Sequence, residues 1–138
     1  MTVRGGVLKL RTEGDGHVVD LTDGVRSVVR TAGAERGIAC VFVTGSTAAV
    51  TTMEHEPGGV EDLQDLLERL VPGHASYAHN RLNHDSNAHA HLRASLIGAS
   101  ETIPVIDSEL VLGTWQQIVL LDFDDRPRER IVTVQLVS

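Results

Sequence analysis

The sequence predicts a single α+β domain, residues 1–138, with mixed or antiparallel β-sheets and about three helices in the order ββαββααββββ. Three observations lead there. The 138 residues suit one domain at about 100–200 residues per domain. Short runs rich in Val, Ile and Leu are separated by turn residues, as strands are. Between them lie segments with apolar residues at helical spacing. Hydrophobic residues make up 41% and charged residues 22%, close to globular averages, so an ordered core is expected. Phe42, Tyr77, Trp115 and Phe123 are the only aromatic residues, and the core must therefore come from Val, Leu, Ile and Ala.

The first two strands are expected at residues 3–11 and 17–21, joined by Glu13, Gly14, Asp15 and Gly16 as a hairpin turn. Thr22 and Asp23 offer N-cap oxygens to a helix whose Val25, Val28, Val29 and Ala32 share one face and which Gly33 ends. Residues 38–43 form an apolar, β-branched run that reads as a central strand. A polar break follows, and an extended pattern resumes over residues 48–54. Pro57, Gly58 and Gly59 interrupt the chain. Val60, Leu63, Leu67 and Leu70 then mark the buried face of a helix that Pro72 and Gly73 stop. Residues 74–85 are polar and aperiodic and read as a loop. Residues 88–97 read as a short helix capped by Ser86 or Asn87. Four strands finish the chain, at residues 102–106, 110–112, 116–123 and 131–137.

Twelve basic against nineteen acidic residues give a net charge of −7. With no Lys/Arg run and few aromatics to stack bases, nucleic-acid binding is not expected. No apolar run approaches the ~20 residues that span a bilayer, and the first residues lack the apolar centre of a secretory signal. The expectation is a cytoplasmic protein with no membrane association. The single Cys40 permits no internal disulfide and reads as a buried small hydrophobe.

Five of the seven histidines, His74, His79, His84, His89 and His91, fall close together. Steps of five residues turn about 140° on a helix and change sides on a strand, so the first four cannot share one face. On a helix capped at Asn87, His91 stands one turn in and shares a face with Asn87 and Ser95, while His89 points nearly opposite. Imidazole is a common metal ligand and titrates near neutrality, so His91 with another histidine suits a divalent metal or proton transfer. For His74, His84 and His89 the simpler reading is solvated surface. No H-E-x-x-H or C-x-x-C motif is present.

Gly45, Ser46, Thr47 and Ala48 expose backbone amides and two hydroxyls between strands. That suits a phosphate or carboxylate, and an ordinary turn equally well. Glu54 follows the next strand, where it could act as a metal ligand or general base; Glu56 turns the other way. Asp62, placed in the first turn of its helix, is explained by the positive helix end. Trp115 stands beside Thr114, Gln116 and Gly113, where ligand stacking competes with core packing. Arg126, Arg128 and Arg130 form either an anion site or a charged hairpin tip.

Together these segments resemble the YjbQ family, small trimeric α+β proteins described as secondary thiamine-phosphate synthases. The landmarks are GSTAAVTTMEHEPG at residues 45–58, VEDLQDLLERLVP at 60–72, YAHN at 77–80, NAHAHLRASLIG at 87–98, LGTWQQI at 112–118 and RPRER at 126–130. The resemblance implies a site uniting Ser46, Thr47, Glu54, His79 and His91 across a subunit boundary, with Asp62, Asn87, Trp115 and Gln116 in support. It implies His91, Glu54 and His79 as the catalytic group and His79 and His91 as ligands of a divalent metal, Mg²⁺ or Zn²⁺. Gly45, Ser46, Thr47, Asn87, Trp115 and Gln116 would bind substrate or anion. Family members carry His-Thr-Ser-Ala where this chain begins with Gly45, so a three-histidine zinc site would lack one histidine. The implied reaction joins hydroxymethylpyrimidine diphosphate to thiazole phosphate with loss of pyrophosphate. The alternatives are a non-catalytic homotrimer binding a phosphorylated metabolite or anion, and a metal-dependent phosphate-ester hydrolase.

Overall fold

A computed structural model describes residues 1–138. Eight strands and four helices follow in order: β1 (Val3–Thr12), β2 (His17–Asp20), α1 (Thr22–Ala32), β3 (Arg36–Thr44), β4 (Ala48–Met53), α2 (Pro57–Leu70), α3 (Ala78–Asn83), α4 (Ala88–Ile97), β5 (Ser100–Ile106), β6 (Glu109–Leu110), β7 (Gln117–Asp122) and β8 (Arg128–Val137). The α+β class and the order of strands agree with expectation. The addition is α3, one and a half turns inside the stretch read as a loop. It has no buried residue, so the hydrophobic periodicity that reveals helices in sequence is missing there.

The strands form two antiparallel sheets, one ordered β1-β8-β3-β5-β6 and one ordered β2-β7-β4. The expected hairpin of β1 with β2 does not form, because β1 pairs with β8 and β2 with β7. The turn between them bonds elsewhere: Asp15 N donates to Asp124 O at 2.7 Å and Gly16 N to Asp122 O at 2.8 Å. At Gly14 (φ 75°) a Cβ would lie 2.6 Å from Arg126 O. The turn is therefore pressed onto the β7–β8 connection, which directs the chain from one sheet into the other.

The larger core lies between the sheets and takes in α1. It joins Val25 and Val29 to Val41, Val43, Ile118, Leu120, Val132 and Val134, all fully buried. On the other face of the small sheet, Leu67 of α2 and Ala90 and Ala94 of α4 pack on Ala49, Val119, Leu121 and Phe123. Phe123 is the sole buried aromatic, as the composition required. The small sheet is thus covered on both faces, which is why β7 is buried almost throughout.

The large sheet is covered on one face only. Along β3 the burial alternates strictly, leaving Ile38 and Phe42 50% and 44% exposed while Ala39, Val41 and Val43 are buried. Val3 and Val7 of β1, Ile106 of β5 and Ile131 of β8 are exposed on the same outer side. Cys40 also points that way and is half-buried, a correction to the buried-core reading; the apolar run around it hid the alternation. No helix is long and apolar enough to cross a membrane.

Two helix starts differ from expectation. Leu21, not Thr22 or Asp23, occupies the N-cap of α1 and makes no side-chain cap. Helix α2 opens at Pro57, so Pro57, Gly58 and Gly59 form its first turn and interrupt nothing. Proline suits that position because the lost N–H has no helical partner there.

Candidate functional site

Helices α3 and α4 bring His79 and His91 together, their ring centroids 4.8 Å apart at 47°. Asn80 sets the geometry: its Oδ1 accepts from Ala88 N at 3.0 Å, tying α3 to the first turn of α4. The same oxygen lies 3.0 Å from His79 Nδ1. An acceptor oxygen there requires Nδ1–H, so neutral His79 keeps its lone pair on Nε2, free to accept a proton or bind a ligand. His89 points away from this pair into a separate cleft, as the helical phase predicted, and is 8% exposed. It is no solvated surface residue. Burial first, then the Arg93 charge, push its imidazole below the ordinary histidine value.

Below this pair lies a buried polar network that the sequence reading missed. Arg130 donates through Nε to Asp122 Oδ2 at 2.7 Å and through Nη2 to Asp122 Oδ1 at 2.9 Å. Its Nη2 also donates to Thr47 Oγ1 at 2.7 Å. Thr47 in turn donates to Asp124 Oδ2 at 3.1 Å, and Arg128 Nε donates to that same oxygen at 2.8 Å. Asn87 Nδ2 reaches Asp124 Oδ1 at 3.4 Å, while Asn87 Oδ1 is buried without a partner. Asn87 stands at the N-cap of α4, but its side chain joins this network and makes no cap.

Burial pushes the Asp122 carboxyl upward, yet the hydrogen bonds from Arg130 and Thr12 outweigh it and hold the group below the usual range. For Asp124 burial is likewise outweighed, here by Arg128, the Asp125 amide, Asn87 and Thr47, and its value falls well below normal. The Asp122 hydrogen bond raises Arg130. Arg128 and Arg130 are therefore committed to carboxylates, and the three-arginine anion site does not form. The available signal was Asp122 and Asp124, two acids ending an apolar strand, facing alternate arginines on the next.

The GST segment divides. Ser46 is exposed, Thr47 is buried in the network, and a Cβ on Gly45 would lie 2.6 Å from Arg130 Nη1. The guanidinium occupies the space a side chain at position 45 would enter. No three His, Cys, Asp or Glu side chains of one chain converge closely enough to hold a metal ion. The donors of a single chain, two imidazoles with no third group beside them, do not fit the metal centre that the resemblance implies.

Glu54, Trp115 and Gln116 lie elsewhere. Thr47 precedes β4 and Glu54 follows it, and seven steps along an extended strand carry the chain on the order of 20 Å. Met53 pairs with Gln117, which brings Trp115 and Gln116 to the Glu54 end. Gln116 Nε2 donates to Thr52 Oγ1 at 3.0 Å and its Oε1 accepts from Gly113 N at 3.0 Å, so it braces this loop. Trp115 is 72% exposed, against the core-packing reading; the small sheet beside it is already covered on both faces. Asp62 falls in the second turn of α2. The carboxylate at that helix end is Glu56, which accepts from Gly58 N at 2.9 Å and from Gly59 N. The candidates thus fall into two groups, Ser46, Thr47, Asn87, His79 and His91 toward one end of the small sheet and Glu54, Trp115 and Gln116 at the other.

Two antiparallel sheets stacked under a helical layer, with paired histidines on adjacent helices, place the chain among small α+β proteins built on this two-sheet plan. The family model for UPF0047 YjbQ-like proteins matches residues 6–138, and the chain belongs to that family. It is 41% identical over 131 residues to a UPF0047 protein of Methanothermobacter thermautotrophicus, covering 95% of this chain and 90% of that one. A UPF0047 protein of Archaeoglobus fulgidus is 41% identical over 128 residues, covering 93% and 97%. Among solved structures, a hypothetical protein from Aeropyrum pernix superposes with a TM-score of 0.90 at 36% identity, covering 100% of this chain and 99% of that one. A YbjQ-like protein from Sulfolobus solfataricus gives 0.88 at 36% identity, covering 98% of each.

Proposed function

We propose that the protein is a thiamine-phosphate synthase whose site forms between copies of a homotrimer, one copy giving His79 and His91 and the next giving Glu54, Trp115 and Gln116. The observation that carries this reading is the split itself. Residues that the family resemblance assigns to one site stand at opposite ends of β4, while the outer face of the large sheet leaves Val3, Val7, Ile38, Phe42, Ile106 and Ile131 in solvent. An uncovered apolar sheet face of this kind marks an interaction surface.

In the proposed reaction the thiazole nitrogen attacks the pyrimidine methylene carbon, forming the C–N bond as the C–O bond breaks. Pyrophosphate leaves with the electron pair. The demands are register between two substrates and neutralisation of the leaving group. An imidazole N–H of His91 donates to the leaving pyrophosphate, and exposed Trp115 supplies a stacking surface for a heterocycle.

The test is a product-resolved assay with both precursors and Mg²⁺, run beside a chelator-treated sample and beside His91→Ala and Glu54→Gln. Expected is product that tracks the protein, is lost in each variant, and partly returns when the two inactive variants are refolded together. Equal product in every sample refutes the synthase; saturable binding of either phosphate substrate without turnover favours a non-catalytic binding protein. Light scattering should give three times the 14.9 kDa chain mass, and Phe42→Asp should reduce it to one.

A further inference from the structure

Helix α4 makes no side-chain cap of its own, since Asn87 is drawn into the buried network. The cap comes from another helix. Asn80 Oδ1 accepts from the N–H of Ala88, the first residue of α4, at 3.0 Å, and so satisfies a donor that helix starts leave open. The Asn80 carbonyl closes the same connection by accepting from Asp85 N at 3.1 Å. Helix α3 buries no residue, so hydrogen bonds of this kind, and not core packing, fix where His79 stands.

Because a backbone N–H can only donate, the contact with Ala88 settles which atom of the Asn80 amide is the oxygen; turned over, the amide would set its NH₂ against an N–H. That oxygen lies 3.0 Å from His79 Nδ1, so the Nδ1 proton is held in place and the lone pair stays on Nε2. Without an acceptor at Nδ1, a neutral imidazole in water favours the other tautomer, with its proton on Nε2. His79 Nε2 and both ring nitrogens of His91 have no hydrogen-bond partner in the chain. None of them is buried, since the buried unpartnered side-chain atoms are Asn87 Oδ1 and His89 Nδ1. The pair thus opens to solvent with one imidazole fixed as an acceptor and the other free to donate.

We propose that Asn80 is a positioning residue, which holds His79 in the Nδ1–H form so that Nε2 accepts a hydrogen bond from an amino or hydroxyl group of the ligand. A neutral acceptor of this kind rejects a phosphate oxygen, which also accepts. The consequence for catalysis rests on the synthase reading. Of the two precursors the pyrimidine carries an amino group and the thiazole none, so His79 selects the pyrimidine while the His91 N–H meets its diphosphate. The tautomer itself does not depend on that reading.

The test is a nitrogen NMR spectrum of the histidine rings in the full-length protein at about pH 8, above the ordinary histidine value of about 6.5. There a ring nitrogen without a proton resonates far from one that carries it. Expected is His79 with its proton on Nδ1 in the parent and in Asn80→Asp, whose carboxylate also accepts, and a shift toward the Nε2–H form in Asn80→Leu. Asn83→Ala removes a bond to the His79 carbonyl on the same helix and should leave the tautomer unchanged. A His79 proton on Nε2 in the parent overturns the proposal, as does an unchanged ring in Asn80→Leu. Equal loss in Asn83→Ala would report unravelling of α3 and overturns it too. In the synthase assay Asn80→Leu should raise KM for the pyrimidine diphosphate roughly 2–10-fold, the worth of one neutral hydrogen bond, and leave KM for the thiazole phosphate within about twofold. Equal rises refute selection through His79. No product in any sample refutes the synthase, while the ring spectra still decide the role of Asn80.

Discussion

Replacing Arg130 by methionine would remove a guanidinium that makes two bonds to Asp122, at 2.7 and 2.9 Å, and one to Thr47 at 2.7 Å. Arg130 is 7% exposed and Asp122 is wholly buried. The hydrophobic stem is roughly conserved, so the main consequence is an uncompensated carboxylate in the core. Breaking a buried pair from one side costs about 3–5 kcal/mol. Domains of this size are stable by only about 5–15 kcal/mol, and the melting temperature should fall by roughly 10–20 °C. The sign of the pH dependence separates this cause from simple loss of packing. In the parent protein Asp122 and Asp124 both lie below their ordinary carboxyl values. Their contribution is therefore full above the unfolded value of about 3.9 and is lost as pH falls through it toward the folded values. In Arg130→Met the opposing effect of burial prevails at Asp122, its value rises, and protonation relieves the penalty. The stability gap between variant and parent should shrink from pH 7 toward about pH 4, a range ending at the unfolded carboxyl value. Urea unfolding midpoints across that range measure it. A loss below about 1 kcal/mol at pH 7, the size of an exposed pair, or a gap that does not change with pH, would refute a desolvated Arg130–Asp122 pair.

Other substitutions test the site piece by piece. Glu56→Ala removes the acceptor for the Gly58 and Gly59 amides and should cost about 1 kcal/mol, whereas Asp62→Asn should stay within about 0.5 kcal/mol; chemical denaturation compares them. Gly45→His forces a Cβ into the place of Arg130 Nη1 and should destabilise by about 1–3 kcal/mol, as overpacking does, with Gly45→Ala showing the same sign. His89, whose value is lowered by burial and by Arg93, resists protonation in the folded chain. Stability should accordingly decline as pH falls below the unfolded value of about 6.5, and His89→Leu should flatten that decline in thermal scans.

Legibility in the sequence followed periodicity. α2 announces itself by one apolar face and β3 by a continuous β-branched apolar run, and their positions were readable within a few residues. Helix α3 buries nothing, so its only local sign was a run of polar residues that equally suits a loop. The false hairpin of β1 and β2 has a different origin. Gly14, Asp15 and Gly16 do make a turn, but the amides of Asp15 and Gly16 bond to Asp124 and Asp122, partners more than a hundred positions away that no local rule can supply.

The polar network was hidden for a related reason. A pair such as Asp122 and Arg130 looks like surface charge until β7 and β8 are placed in two different sheets whose buried faces meet. Once placed, the pair accounts for Thr47 and Asn87, two candidates for ligand binding whose side chains are already engaged with Asp124. What remains free in the first group is Ser46 with His79 and His91; in the second, Glu54 and Trp115. Six residues of extended β4 hold the groups apart, and a strand cannot fold back to join them without destroying the small sheet. In the proposed synthase, chemistry that uses both must therefore be done between chains, so the concentration dependence of product formation tests that proposal as directly as His91→Ala does.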